Sequence, residues 1–285
     1  MTSSTLTKQS IINYYHTHES LYGYDLILRG IKHYGYYPIG KENISIANAQ
    51  ELMSLQLGKE LGLPEDSLVL DAGCGEGPVS VALAKAYKFR LEGVDLLDFN
   101  VAKAKKRALK NNVADRTNFQ TGDYSKLSFP DNHFDGVFMI ETFVHAPDYK
   151  KVLAELSRVL KPGGKIVISE YTKSPEDELT HKQNKIYDEI IQYTSCPAFS
   201  DFTNGSFPAI LTKAGFINVK VRDVSEYIRP MLKKLYLIAF LPYFIAKLLG
   251  IKKHFINAEC GIYHYKYNLI GIWRYNIASA EKPIS

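Results

Sequence analysis

The stretch Val69-Leu70-Asp71-Ala72-Gly73-Cys74-Gly75-Glu76-Gly77-Pro78 decides how the rest of this protein is read. It opens on the apolar run Leu68 to Leu70, short enough for a buried strand. It passes through glycines at alternate positions. Behind Pro78 it enters the apolar segment Val79 to Tyr87, which predicts a helix. Strand, glycine turn and helix in that order is the usual place for a nucleotide-like ligand in an α/β sheet. Glycine there lets the backbone pass close to the ligand. The spacing is GxGxG rather than GxGxxG, and the loop carries Asp71 and Glu76. Carboxylates in this position repel a pyrophosphate at the helix N-terminus and attract cationic groups instead.

Outward from this loop the pattern alternates. Phe89 to Val94, Asn118 to Thr121, Phe134 to Ile140, Lys165 to Ser169 and Ile217 to Val224 predict strands. Asn100 to Asn111 and Tyr149 to Leu160 predict helices between them. Strands alternating with helices indicate a parallel sheet covered on both faces. The expected fold class is α/β, with a Rossmann-like, seven-stranded, mostly parallel sheet. Residues 1–66 are expected as a helical cap and 67–225 as the ligand-binding core. Residues 226–262 are expected as an apolar, basic lid insert between the last two strands, and 263–285 as the final strand of the core.

Two further carboxylates fall where strands end. Asp95 closes the second strand, 24 residues after Asp71, where it can accept both hydroxyls of a ribose. Gly122-Asp123-Tyr124 follows the third strand, where Asp123 can meet an adenine amino group. A ligand with an ammonium, a sulfonium, a ribose and an adenine is S-adenosylmethionine. Asp71, Gly73, Gly75, Gly77, Asp95, Asp123 and Tyr124 are therefore the candidate cofactor residues.

The run from Asp71 to Gly164 resembles class I S-adenosylmethionine-dependent methyltransferases. The segment Phe134-Asp135-Gly136-Val137-Phe138-Met139-Ile140-Glu141-Thr142-Phe143-Val144-His145-Ala146-Pro147 is similar to that of the methyltransferases that C-methylate sterol side chains, which carry an I-E-A-T-C-H-A-P run after the fourth strand. Ser169-Glu170-Tyr171-Thr172, His181-Lys182 and the region His33-Tyr34-Gly35-Tyr36 resemble the same subfamily. The resemblance implies methyl transfer to an apolar isoprenoid, such as a sterol side chain, a prenyl diphosphate or a related terpenoid. It implies C-methylation through a carbocation. The alternative is O- or N-methylation of a phenolic or lipid-like small molecule. A non-catalytic binding protein is a third class, and the intact Asp71, glycines and Asp95 argue against it.

An alkene that takes a methyl cation needs aromatic faces around it and then a base. Glu141, at the end of the fourth strand, is the candidate base, acting directly or through His145. Seven tyrosines fall between Tyr14 and Tyr37, and Tyr24, His33, Tyr34 and Tyr36 are candidate acceptor contacts. Phe240 and Phe244 of the insert are two more.

Composition narrows the partners. With 285 residues, 46% hydrophobic and 23% charged, the protein has material for a large core and excludes disorder as its main state. Cys74, Cys196 and Cys260 are far apart and include no CxxC pair, so neither a disulfide framework nor a metal site is expected. Met1 to Ser10 is polar and shows no secretory pattern, which points to a cytoplasmic address. Residues 220–255 hold eight basic and two acidic side chains, although the formal charge of the whole protein is only +5. That segment is apolar where nucleic-acid binders are polar, and no Asn/Asp-Pro-Pro-aromatic run is present, so no nucleic-acid partner is expected. The uncharged run Leu235 to Ala246 is 12 residues, short of the roughly 20 of a span. Residues 226–256 are expected to roof an apolar pocket and to touch a membrane surface peripherally. Pro242 argues against one continuous helix there.

Overall fold

A computed structural model describes residues 6–17, 19–251 and 255–284. The protein begins with α1 (Lys8–Tyr15), a π-helical turn (Glu19–Gly23), α2 (Tyr24–Leu28) and α3 (Ile46–Leu61). The core follows as β1 (Leu68–Ala72), α4 (Pro78–Tyr87), β2 (Arg90–Asp95), α5 (Asp98–Lys110), β3 (Thr117–Thr121), β4 (Phe134–Ile140), α6 (Tyr149–Val159) and β5 (Leu160–Lys173). It closes with α7 (His181–Thr194), α8 (Phe207–Lys213), β6 (Ile217–Asp223), α9 (Ser225–Leu248), α10 (Ile256–Leu269) and β7 (Trp273–Glu281).

The strands form one seven-stranded sheet in the order β3-β2-β1-β4-β5-β7-β6, in which β7 alone runs antiparallel to both its neighbours. Central strands buried on both faces read as continuous apolar runs, which is why β1 and β4 were legible. Val69, Leu70, Val137 and Phe138 are fully buried. Burial of each such residue is worth roughly 1.5–3 kcal/mol. The strand order reverses between β1 and β4, so the loops after these strands diverge and leave a crevice at their C-terminal ends.

Two stretches differ from expectation. Residues 31–45 are not helical. They thread irregularly between α3 and α9 and turn at residues 39–44, held by Tyr36 N to Ala49 O (2.7 Å) and Tyr37 N to Tyr227 O (2.8 Å). A Cβ at Gly35 would stand 2.7 Å from that of Ala49, so only glycine lets the thread lie this close. The segment 263–269, expected as strand, is the end of α10. Its buried residues Ile256, Gly261, Ile262, His264, Tyr267 and Asn268 follow a helical spacing that the aromatic, β-branched composition obscured. Strand begins only at Trp273, after the turn at Gly271.

The insert is a helical pair, α9 against α10. Helix α9 runs unbroken through Pro230 and Pro242, contrary to expectation. Ile238 and Pro242 are both exposed, so the Ile238 carbonyl that loses its amide partner is not sealed in the core. Among the described residues no helix is long and apolar enough to cross a membrane.

Candidate active site

The crevice holds a cavity of about 300 Å³. Its floor is the β1 turn. Gly73, Gly75 and Gly77 have φ of 93°, 51° and 73°, all left-handed. A Cβ on Gly73 would collide with the Thr142 side chain, and one on Gly77 would lie 2.9 Å from Ala104 Cβ. The turn is thus pinned between the β4 loop and α5, and its open side faces the cavity.

Asp71, the penultimate residue of β1, is almost fully buried and accepts from Ser80 Oγ at 2.7 Å. Burial pushes its carboxyl up to about 7, against the Ser80 hydrogen bond. Asp95 clamps the turn: Oδ2 accepts from Gly75 N at 2.9 Å, and Oδ1 accepts from Leu97 N at 3.0 Å and Asn100 Nδ2 at 2.9 Å. A carboxylate has about four acceptor sites, and with three engaged one remains, on Oδ2, for a single hydroxyl rather than the expected two. Asp123 also lines the cavity. Burial raises its pKa, but the Ser125 and Lys8 hydrogen bonds outweigh that and hold the carboxyl below its usual range. Tyr124 donates to Thr142 O at 3.0 Å, tying the β3 and β4 loops together.

Glu76 departs from its expected part. Its carboxylate is buried against Lys103 Nζ (2.8 Å) and Arg107 Nη2 (3.5 Å), so its charge is already paired with α5. It anchors the turn, and a Cβ at Gly30 would collide with it, so the N-terminal segment closes over the turn at that point.

A second, apolar cavity of about 270 Å³ lies beside the first. Leu28, Tyr34, Met231, Leu235, Ala239 and Gly261 contribute to its walls. Lys32, His33 and Glu141 line both cavities and form the junction between them. Glu141 has a left-handed φ of 48°, which turns its side chain out of the strand direction at the end of β4. Its Oε1 accepts from Tyr34 N at 2.6 Å and from Tyr275 Oη at 2.7 Å. Burial pushes its carboxyl up to about 8, opposed by those two hydrogen bonds and by His145.

His33 is neutral, lowered to about 4 by burial. Its Nδ1 donates to Tyr34 O at 3.0 Å, and its Nε2 has no hydrogen-bond partner among the described residues. His145 lines the first cavity. Its Nδ1 donates to Ser195 O at 2.9 Å, which leaves Nε2 as acceptor for Tyr15 Oη at 3.0 Å. Burial lowers its pKa as well. Both ring nitrogens are engaged away from Glu141, and no hydrogen bond joins the two, so the expected relay through His145 is not formed.

The candidate acceptor residues divide. Tyr34 and His33 line the second cavity. Tyr36 does not: it stacks on Tyr227 with ring centroids 4.6 Å apart. Phe240 and Phe244 are half exposed, at 51% and 52%, on the outer face of α9. The inner face instead presents Met231, Leu235, Ile238, Ala239 and Pro242. The Tyr24 side chain lies outside the described residues. Lys32 and Tyr275 were missed. Tyr275 sits opposite Tyr171 across the β5–β7 pair, a contact that only the sheet register reveals. Lys32 lies over the Tyr15 ring at 5.1 Å, and burial lowers its pKa.

The titration of Glu141 has a consequence for folding. Its folded value, about 8, lies above the ordinary 4.5, so the protonated form favours the folded state. That contribution is complete below about 4.5 and is lost as pH rises through about 8. Urea denaturation on either side of this window should show Glu141→Gln losing part of the wild-type fall in stability. An unchanged pH slope would contradict the burial described above.

Comparison with known proteins fits this geometry. Residues 69–164 match the family model described as a methyltransferase domain. The protein is 33% identical over 290 residues to an S-adenosyl-L-methionine-dependent Diels-Alderase of Talaromyces variabilis, covering 99% of this chain and 98% of that one. It is 37% identical over 135 residues to the sterol 24-C-methyltransferase of Saccharomyces cerevisiae, covering 47% of this chain and 35% of that one. The crystal structure of the [4+2]-cyclase SpnF superposes with a TM-score of 0.75 at 21% identity, covering 100% of this chain and 98% of that one. The protein belongs to the S-adenosylmethionine-dependent methyltransferase family, and S-adenosylmethionine is its cofactor. The cavity suits that ligand, with a glycine turn open to it and separate carboxylates spaced along its length.

Proposed function

We propose that this protein methylates an apolar acceptor, an isoprenoid alkene being the substrate class its chambers fit, and that Glu141 takes the proton released. The observation that carries this reading is the junction: a chamber lined by Asp71, Asp95 and Asp123 and an apolar chamber meet at Glu141, Lys32 and His33. The cofactor, when bound, supplies an electrophilic methyl on a sulfonium. Asp71 then faces the ammonium, Asp95 a ribose hydroxyl, and Asp123 with Tyr124 the adenine end. The apolar chamber holds the alkene against the Tyr34 ring, where a cation gains about 0.5–2 kcal/mol per aromatic face. Once the new C–C bond leaves a carbocation, the Glu141 carboxylate accepts a proton from the adjacent carbon and restores the alkene. Tyr34 N and Tyr275 Oη fix its Oε1, which leaves Oε2 as the basic atom.

A second reading is favoured by the full-length similarity to a Diels-Alderase, which spans the N-terminal segment and the α9–α10 pair as well as the core. In that reading the bound cofactor shapes the apolar chamber, and a polyene cyclises there without methyl transfer. The test is incubation with methyl-labelled cofactor and a panel of isoprenoid alkenes, polyenes and phenols, followed by solvent extraction. Label in an alkene product supports C-methylation. Label on a phenol would replace the acceptor class, and an unlabelled isomer of a polyene would favour cyclisation.

The chamber walls give a sharper check. Ala239→Phe projects a ring into the apolar cavity and should raise the acceptor's KM by roughly tenfold or more, since the site must expel or overpack a phenyl group. Phe240→Ala and Phe244→Ala, on the outer face, should leave KM within about twofold for a soluble acceptor of few carbons. The reverse pattern would place the acceptor elsewhere.

A further inference from the structure

The outer face of α9 is an exposed apolar surface that the reaction leaves unexplained. Leu237, Phe240, Leu241, Phe244 and Leu248 recur at three- and four-residue spacing and so share one face. They are exposed by 63%, 51%, 63%, 52% and 73%. A monomer rarely leaves so many large apolar side chains together in water. Lys233 and Lys247 flank the face, both exposed and neither with an ion-pair partner among the described residues. After Glu226, α9 contains no acidic residue. Lys252 and Lys253, which add to this charge in the sequence, lie outside the described residues.

The apolar chamber opens at the edge of this surface, where exposed Ile245 and Ile238 carry it around the helix from Leu241. Ile27, Ile238, Pro242 and Phe255 line that chamber and are at the same time exposed, so they form its mouth. Leu26, beside Ile27 on α2, is 86% exposed and extends the apolar rim.

We propose that this face is a docking surface for an anionic lipid bilayer, and that the acceptor enters its chamber from the membrane. The charge pattern selects the partner. Two copies meeting through this face in an isologous contact would bring identical lysine flanks together, whereas an anionic surface neutralises them. Apolar side chains enter the acyl boundary while the lysines remain at the headgroups. The docking half is independent of the chemistry; the delivery half rests on the apolar-acceptor reading.

The test is co-sedimentation with vesicles of phosphatidylcholine alone or mixed with phosphatidylserine, and it requires no turnover. The wild type should pellet with the mixed vesicles and be released by salt. The double charge reversal Lys233→Glu with Lys247→Glu should weaken binding by roughly 30-fold or more. Phe244→Asp with Leu248→Asp should abolish it, because these side chains are exposed and do not line the chamber. Both variants should turn over a soluble acceptor of few carbons at the wild-type rate, which separates failed docking from a failed active site. Absence of wild-type binding to the mixed vesicles would overturn the proposal. So would binding that neither variant alters, or a dimer in sedimentation velocity that the Phe244 and Leu248 changes dissolve while vesicles are ignored.

Discussion

Glu141→Gln is expected to lower turnover by roughly 10²–10⁴-fold, the range for loss of a general base. Glutamine keeps the size of the side chain, and its Oε1 can still accept from Tyr34 N and Tyr275 Oη, so the junction should keep its shape. Cofactor affinity should therefore stay within about tenfold. The pH dependence gives a second readout. The base form is the ionised form, so wild-type kcat/KM should rise as pH climbs through about 8, the value that burial gives the free protein. That rise should be absent in the variant. Retained turnover with the same pH profile would remove Glu141 from the chemistry. Equal losses of turnover and cofactor affinity would make it a cofactor contact instead.

Asp95→Ala should weaken cofactor binding by roughly 10- to 100-fold. A hydrogen bond to a charged group contributes about 1.5–3 kcal/mol, and one acceptor site of this carboxylate is open to a ribose hydroxyl. The same change also frees the Gly75 amide and Asn100, which Asp95 orients beside the cavity. Asp95→Asn keeps one acceptor oxygen and should recover part of the loss. Calorimetry with S-adenosylhomocysteine measures the effect without turnover. Unchanged affinity would remove Asp95 from the ribose role. A large fall in the melting temperature of the unliganded alanine variant would show that it serves mainly to hold the turn.

The cofactor side of this site was legible because local sequence determines it. A buried apolar strand, glycines with left-handed φ and a Pro78-led helix are short-range features, and Asp71 and Asp95 follow directly from the strand ends. Glu141 was legible for the same reason, as the residue that follows β4. Glu76 was misread because its partners, Lys103 and Arg107, lie about 30 residues away on α5.

The acceptor side depends on tertiary contacts. The run Leu235 to Ala246 is apolar all round, so its hydrophobic pattern cannot say which face turns inward, and Phe240 and Phe244 were placed on the wrong one. Residues 31–45 carry aromatic side chains with neither a helical nor a strand period. Their path is set by α3 and α9, through the Ala49 and Tyr227 carbonyls. Tyr275 reaches Glu141 only because β7 pairs with β5.

In the proposed function, the junction at Glu141 joins a bound methyl donor to an apolar acceptor. The most direct measurement is the stoichiometry of a single turnover with trideuteromethyl-labelled S-adenosylmethionine. One molecule of S-adenosylhomocysteine should form for each molecule of labelled, solvent-extractable product. An extractable product that carries no label, formed with the cofactor unconsumed, would contradict it.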